Sequence, residues 1–291
     1  MLTVVRWSRP TPALINVISS RSIHGVPAVV SLDDDIFVLH SRSHQVEVYD
    51  ASSFTLQRHV IFRKSSNRFL GQPCLAACGN NNCLYVTDED YNGIHRVELT
   101  GSNAVKKWFV ANNPAGLSVN RAHNVVVACY GANKLQEYTT HGSLVREICL
   151  EAPWHAVQLS SGDYVVSQCW SPGVVSVVGV DGQVRHSYGQ SQTSDVGQMK
   201  KPASLAVTKN DDILVADSDN NRILSMNSSL SSVQELTLPV VGLIKEPWYY
   251  DNDDDDSIQK PWGLCLDESR GRLYIGEVGG KHLVLVFVNV C

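Results

Sequence analysis

The chain has 291 residues, 43% of them apolar, and a formal net charge of −5. That balance is enough to bury a sizeable core and excludes an intrinsically disordered chain. It holds no apolar run of the ~18 residues that cross a membrane as a helix, and Arg6, Arg9, Pro10 and Pro12 break the N-terminal stretch where a secretory leader needs continuous apolar sequence. A cytoplasmic protein with no membrane attachment is expected.

Residues 1–12 read as an N-terminal extension, and residues 13–20, "ALINVISS", have strand character but no hairpin partner nearby. From there to Cys291 the chain reads as one domain built of repeats. The first repeat runs "VPAVVSL", "IFVLH", "QVEVY", "TLQRHVIF"; the second runs "QPCLAAC", "LYVTD", "IHRVE", "AVKKWFV". The third is "NPAGLSV", "VVVAC", "KLQEY", "LVREICL", and the fourth is "APWHAVQL", "YVVSQ", "VVSVV", "QVRHSY". The fifth is "KPASLAV", "ILVAD", "RILSM", "SVQELTL"; the sixth ends after "KPWGLCL", "LYIGE" and "LVLVF". The second segments start at Ile36, Leu84, Val125, Tyr164, Ile213 and Leu273, spaced 48, 41, 39, 49 and 60 residues apart.

Polar turns such as "SSGD", "KNDD" and "ESRG" join the first two segments of a repeat, so each repeat is an antiparallel meander. The second segments are continuously apolar and need cover on both faces, which one small meander cannot supply. The fourth segments alternate and suit an outer edge. Four-stranded units of about 45 residues that cover one another are the blades of a β-propeller. The expected fold is therefore all-β, a six-bladed propeller of four-stranded antiparallel blades. Residues 13–20 are expected to supply the missing outer strand of blade six and close the ring.

The fifth repeat, "KPASLAVTKNDDILVADSDNNRILSM", resembles the NHL repeat, in which a proline and a small residue open a strand and a "VADSDNNRI"-like turn follows. Repeats two, three and six keep recognisable parts of this pattern, while one and four keep the proline and the apolar run alone. The chain as a whole resembles the NHL propeller of tripartite-motif proteins. That resemblance implies a recognition module, acting as a substrate-recruiting part related to ubiquitin ligases, and it implies a structural role for Arg222, bridging to Asp217 or to backbone carbonyls across the hairpin.

Asp217, Asp219 and Asn221 alternate as at the start of a calcium loop, and Asp88, Asp90, Asn92 and Gly93 do so more closely. The twelfth positions, Leu99 and Ser228, lack the required glutamate, and strands rather than helices flank both loops. Asp88, Asp217, Asn221 and Arg222 are therefore expected to shape turns, where Asp and Asn bond nearby backbone and tolerate left-handed conformations. The eight cysteines lack framework spacing and fall mostly in apolar runs, so reduced thiols are expected. Cys74, Cys78 and Cys83 come nearest to a metal cluster but have no CxxC partner and no nearby histidine. No metal or other cofactor is expected.

Any site is expected on the propeller face that carries the starts of the first strands and the turns between second and third strands. His40, Asp88, Cys129, Gln168, Asp217 and Glu277 end the second segments there. The expected binding face comprises Arg42, Tyr91, Tyr130, Lys134, Trp154, His155, Trp170, Arg222 and Trp262. Aromatic side chains at a channel mouth point to protein or peptide recognition by a monomer. Single-stranded RNA is the alternative, through Arg42, Lys134, Lys200, Lys201, Arg222 and Lys260, but the five aspartates between 251 and 256 oppose phosphates. A metal-dependent propeller hydrolase or lyase is the further alternative, with Asp88, Asp217, Glu277 and His155 as its only candidate ligands. No GxSxG, P-loop or HExxH motif is present, and no catalytic residue is assigned.

Overall fold

A computed structural model describes residues 12–19, 24–63, 72–101, 103–170, 172–189, 198–239, 257–279 and 284–290. The first strand, β1 (Ala13–Ile18), is followed by blade one: β2 (Ala28–Leu32), β3 (Asp35–Leu39), β4 (Gln45–Asp50) and β5 (Leu56–Ile61). Blade two is β6 (Leu75–Cys78), β7 (Cys83–Asp88), β8 (Gly93–Glu98) and β9 (Val105–Phe109). Blade three is β10 (Pro114–Val119), β11 (Val125–Cys129), β12 (Lys134–Tyr138) and β13 (Leu144–Cys149). Blade four is β14 (His155–Gln158), β15 (Tyr164–Gln168), β16 (Val174–Val178) and β17 (Val184–Tyr188). Blade five is β18 (Pro202–Val207), β19 (Ile213–Asp217), β20 (Arg222–Met226) and β21 (Val233–Glu235), and blade six is β22 (Pro261–Asp267), β23 (Arg272–Glu277) and β24 (Val284–Val288).

Each blade is an antiparallel four-stranded sheet, and the sixth is completed by β1, which pairs with β24 from Ala13 opposite Val288 to Ile18 opposite Val284. The protein is thus an all-β six-bladed propeller whose N-terminal strand closes the ring. Strands β7, β11 and β19 are buried along their whole length, whereas β5 and β13 bury only Val60 and Ile148. The buried apolar side chains collect in clusters between neighbouring blades. Phe37 and Val48 meet Leu75 and Leu84 between blades one and two, and Ile18 joins Val29 and Tyr274 between blades six and one. Burial of the second strands by both neighbours is why their sequences are apolar without alternation.

Side chains of the innermost strands also tie blade to blade. The Leu117 amide donates to Cys74 Sγ at 3.3 Å, the Leu264 amide to Ser204 Oγ at 3.3 Å and the Ser31 amide to Cys265 Sγ at 3.2 Å. His155 spans two junctions: its Nδ1 accepts the Leu205 amide at 3.0 Å, so the proton sits on Nε2, which donates to the Leu117 carbonyl at 3.0 Å. Glycine lets the backbones close up here, since a Cβ on Gly116 would lie 2.4 Å from the Trp154 carbonyl oxygen.

Burial lowers the pKa of His155 from its ordinary value of 6.5. The folded protein therefore holds this imidazole neutral, while the unfolded chain takes up a proton below about pH 6.5, so stability is full above that pH and falls as pH drops through it. The loss approaches ~1.4 kcal/mol per pH unit for this one group. His155→Leu orphans a buried N–H and a buried carbonyl and is expected to cost about 2–4 kcal/mol at pH 7. Urea melts of wild type and variant from pH 5 to 8 check both: the wild type should lose stability on acidification more steeply than the variant does.

Candidate functional site

Three of the turns that join second to third strands share one construction. Each makes a single 3-10 turn, Glu89–Tyr91, Tyr130–Ala132 and Ser218–Asn220, and then turns left-handed at Asn92, Asn133 and Asn221, with φ of 46°, 53° and 53°. Asparagine tolerates this region better than other side chains. Its amide oxygen then reaches the next blade: Asn92 Oδ1 accepts the Asn113 amide at 2.7 Å, Asn133 Oδ1 the Ala152 amide at 2.9 Å and Asn221 Oδ1 the Lys260 amide at 2.8 Å. Each donor precedes the proline that opens the following first strand and is itself left-handed, with φ of 55°, 40° and 44°. The asparagines are therefore clips between blades as well as turn formers. Asn133→Ala loses the clip and the tolerant residue together and is expected to cost about 1–2 kcal/mol by chemical denaturation.

The aspartate of the fifth-blade turn is saturated from inside. Asp217 is fully buried and accepts the Lys200 and Lys201 amides at 3.0 and 3.1 Å, Asn220 Nδ2 at 2.6 Å and Arg222 Nε at 2.9 Å. Every neighbour of this carboxylate is a donor, a surrounding that suits an anion alone and offers a cation nothing further. Glu277, at the matching position of blade six, is also buried, and its Oε1 accepts the Gln259 amide at 2.7 Å. Among the described residues no three His, Cys, Asp or Glu side chains converge to hold a metal ion. Cys78 and Cys83 face each other across β6 and β7 as buried free thiols, and Cys74 Sγ takes the Leu117 amide. Of the other residues that end the second strands, His40 pairs with Glu47 at 2.9 Å, and the buried Cys129 thiol is pushed up to about 12 by its burial.

At the mouth of the axis four of the sequence-chosen aromatics meet. Tyr130 of blade three lies 5.4 Å from Trp154 and 6.2 Å from Trp170, both of blade four, measured between ring centroids. Trp154 stands edge-on to Trp170 at 6.2 Å and to Trp262 of blade six at 6.0 Å. Lys201 of blade five sits over Trp262 at 4.8 Å, and the Tyr130 hydroxyl donates to Glu89 of blade two at 2.8 Å. Burial, with the adjacent Glu89 carboxylate, raises the Tyr130 hydroxyl to about 12. Trp170 is 57% exposed. Below this cluster the channel narrows to a space of about 20 Å³ lined by residues of all six blades, among them Pro27, Pro73, Ala115, His155, Ser204 and Trp262.

The remaining sequence-chosen residues lie elsewhere. His155 is buried as the strut between blades described above, and Arg222 is held by Asp217. Lys134 pairs with Glu147 at 3.1 Å, and Arg42 is exposed in a left-handed turn. Tyr91 turns away from the aromatic cluster, with the Arg63 guanidinium 4.6 Å and the Lys107 ammonium 4.2 Å from its ring. The aspartates at 251–256 lie outside the described residues. Lys201 and Glu89 complete the channel mouth; Lys201 figured in the sequence only as a basic residue, and nothing in the pattern marked Glu89.

Fold and site together define a six-bladed propeller with an aromatic surface over a narrow axial space. Residues 199–224, which take in β18, β19 and the start of β20, match the NHL repeat family, and the protein carries an NHL repeat there. No curated protein matches the chain. Among solved structures, a streptogramin B lyase superposes with a TM-score of 0.66 at 10% identity, over 94% of this chain and 97% of that one. Virginiamycin B lyase from Staphylococcus aureus superposes at 0.64 with 12% identity, over 96% and 99%. The WD40 propeller domain of Doa1 superposes at 0.60 with 16% identity, over 95% and 96%. At such identities the likeness is one of fold.

Proposed function

We propose that the protein is a non-catalytic recognition module that binds a protein or peptide on the channel-mouth face and works as a cytoplasmic monomer. The observation that carries this reading is the continuous patch of Tyr130, Trp154, Trp170 and Trp262, assembled from three blades with Trp170 outermost. Tryptophan and tyrosine supply large contact area at small entropic cost and dominate protein interfaces. The space beneath is about 20 Å³, so a ligand lies across the face rather than entering the axis. Two of the cations an RNA strand would need, Lys134 and Arg222, already pair with Glu147 and Asp217, which favours a peptide over RNA. The resemblance to tripartite-motif propellers supports a substrate-recruiting role in which another chain carries out ubiquitin transfer.

A photo-crosslinking amino acid placed at Trp170 tests the reading. It should capture a defined partner from cytosol, competed by excess unlabelled protein, whereas the same group at Val184 on the outer strand of blade four should not. Equal capture from both positions, or capture of nucleic acid alone at Trp170, would contradict it.

A further inference from the structure

A second concavity lies beside blade two, outside the aromatic cluster of the channel mouth. A cleft of about 780 Å³ opens between blades one and two, a size in the range of ligand pockets. Blade one contributes His59, Ile61 and Arg63, and blade two contributes Tyr91, Val105 and Lys107. Asp88 and His95 lie behind them, with His95 Nε2 2.7 Å from Asp88 Oδ2.

Asp88 occupies the same turn position as Asp217, yet its surroundings differ. Asp217 has four hydrogen-bond donors within its own blade. Asp88 is fully buried with its Oδ1 lacking a hydrogen bond, and Lys107 Nζ stands off at 3.7 Å from Oδ2. Burial raises the Asp88 carboxyl, but His95, Lys107 and Arg63 together outweigh that and hold it below its ordinary value, so the group stays ionised. The carboxylate anchors a cationic wall without being open to a ligand itself.

Apart from the buried Asp88 and the neutral Asn103, the groups that face the cleft are basic, aromatic or apolar. Lys107 is partly exposed, and its ammonium makes no hydrogen bond among the described residues. His59 is exposed on the opposite wall. Ile61 and Val105 are 52% and 43% exposed, so the cleft offers apolar surface from both blades. One accessible ammonium and one imidazole suit a single negative charge better than a phosphate dianion.

We propose that the cleft between blades one and two binds a small monoanionic amphiphile, a carboxylate carried on an aromatic or aliphatic body. The carboxylate meets Lys107 and His59, and the body lies against Ile61, Val105 and the Tyr91 ring. Calorimetric titration of the full chain with phenylacetate and with its neutral isostere phenylacetamide tests this at low salt and pH 7. Phenylacetate should bind saturably and the amide about tenfold or more weaker, since a hydrogen bond to a charged group is worth more than a neutral one. Lys107→Gln should erase the preference. Ile61→Glu, which removes an apolar contact from both ligands and adds a negative charge at the exposed rim without touching Asp88, should weaken both and phenylacetate more than the amide, and Val184→Thr on blade four should change nothing. Equal affinity for acid and amide, no saturable binding of phenylacetate, or unchanged binding in folded Lys107→Gln and Ile61→Glu would overturn the proposal.

Discussion

Removal of residues 1–18 is expected to abolish cooperative folding rather than to trim an end. Those residues include β1, the outer strand of blade six, which is paired with β24 and carries Ile18 into the seam between blades six and one. Leu14 and Val17 pack against the cluster between blades five and six, alongside Leu285 and Phe287. Without β1, the wholly apolar β24 becomes a bare edge, and its backbone groups lose their partners. Lost apolar burial at roughly 1.5–3 kcal/mol per large side chain, with several hydrogen bonds at ~1 kcal/mol each, amounts to about 5–10 kcal/mol. That is comparable to the whole stability of an ordinary domain. Residues 19–291 should therefore show no sharp thermal transition by circular dichroism, and a synthetic peptide of residues 12–20 in excess should restore part of it. A truncated chain that melts at the wild-type midpoint would show that the ring does not depend on this strand.

Asp217→Ala is expected to be the most damaging single substitution on the turn face. It leaves the Lys200 and Lys201 amides without their acceptor, and it removes the close carboxylate partner of a largely buried Arg222, which keeps the Gln198 carbonyl at 3.3 Å and Glu235 at 3.7 Å. Removing one member of a buried ion pair costs about 3–5 kcal/mol. Asp217→Asn keeps an oxygen for the two backbone amides and should cost less, about 1–3 kcal/mol, through the lost charge opposite Arg222. Urea titration at pH 7 separates the two. An alanine variant within about 1 kcal/mol of wild type would mean that this network contributes little net stability.

What could be read from the sequence was decided by burial. The apolar runs of the second strands need two covering faces, so "VVVAC" and "ILVAD" led directly to blades packed side by side, and "ALINVISS", a strand with no meander of its own, pointed to the completion of blade six. Tyr130, Trp154, Trp170 and Trp262 were legible as one surface because the propeller places all their positions on the same face. The orientation of His155 was not, since its position at the start of β14 says nothing of the ring bonding Leu117 and Leu205 of the neighbouring blades. The Asn clips were hidden for the same reason: a tolerant turn residue is visible in one repeat, but its partner sits in the next. The cleft of Lys107 and His59 lay furthest from view, because alternating outer strands such as "AVKKWF" look like any solvated edge until two blades are set together.

The most direct test of the account is the affinity of a peptide ligand for the channel mouth. Peptides selected from a random display library against the wild-type protein should bind Trp170→Ala about thirtyfold or more weakly, the loss of ~2 kcal/mol typical of an interface hot spot. The Asp217-dependent melting transition of that variant should stay intact. Selected peptides that bind wild type and Trp170→Ala equally, or a library that yields nothing while single-stranded RNA binds tightly in a salt-dependent manner, would contradict the assignment of this face to protein recognition.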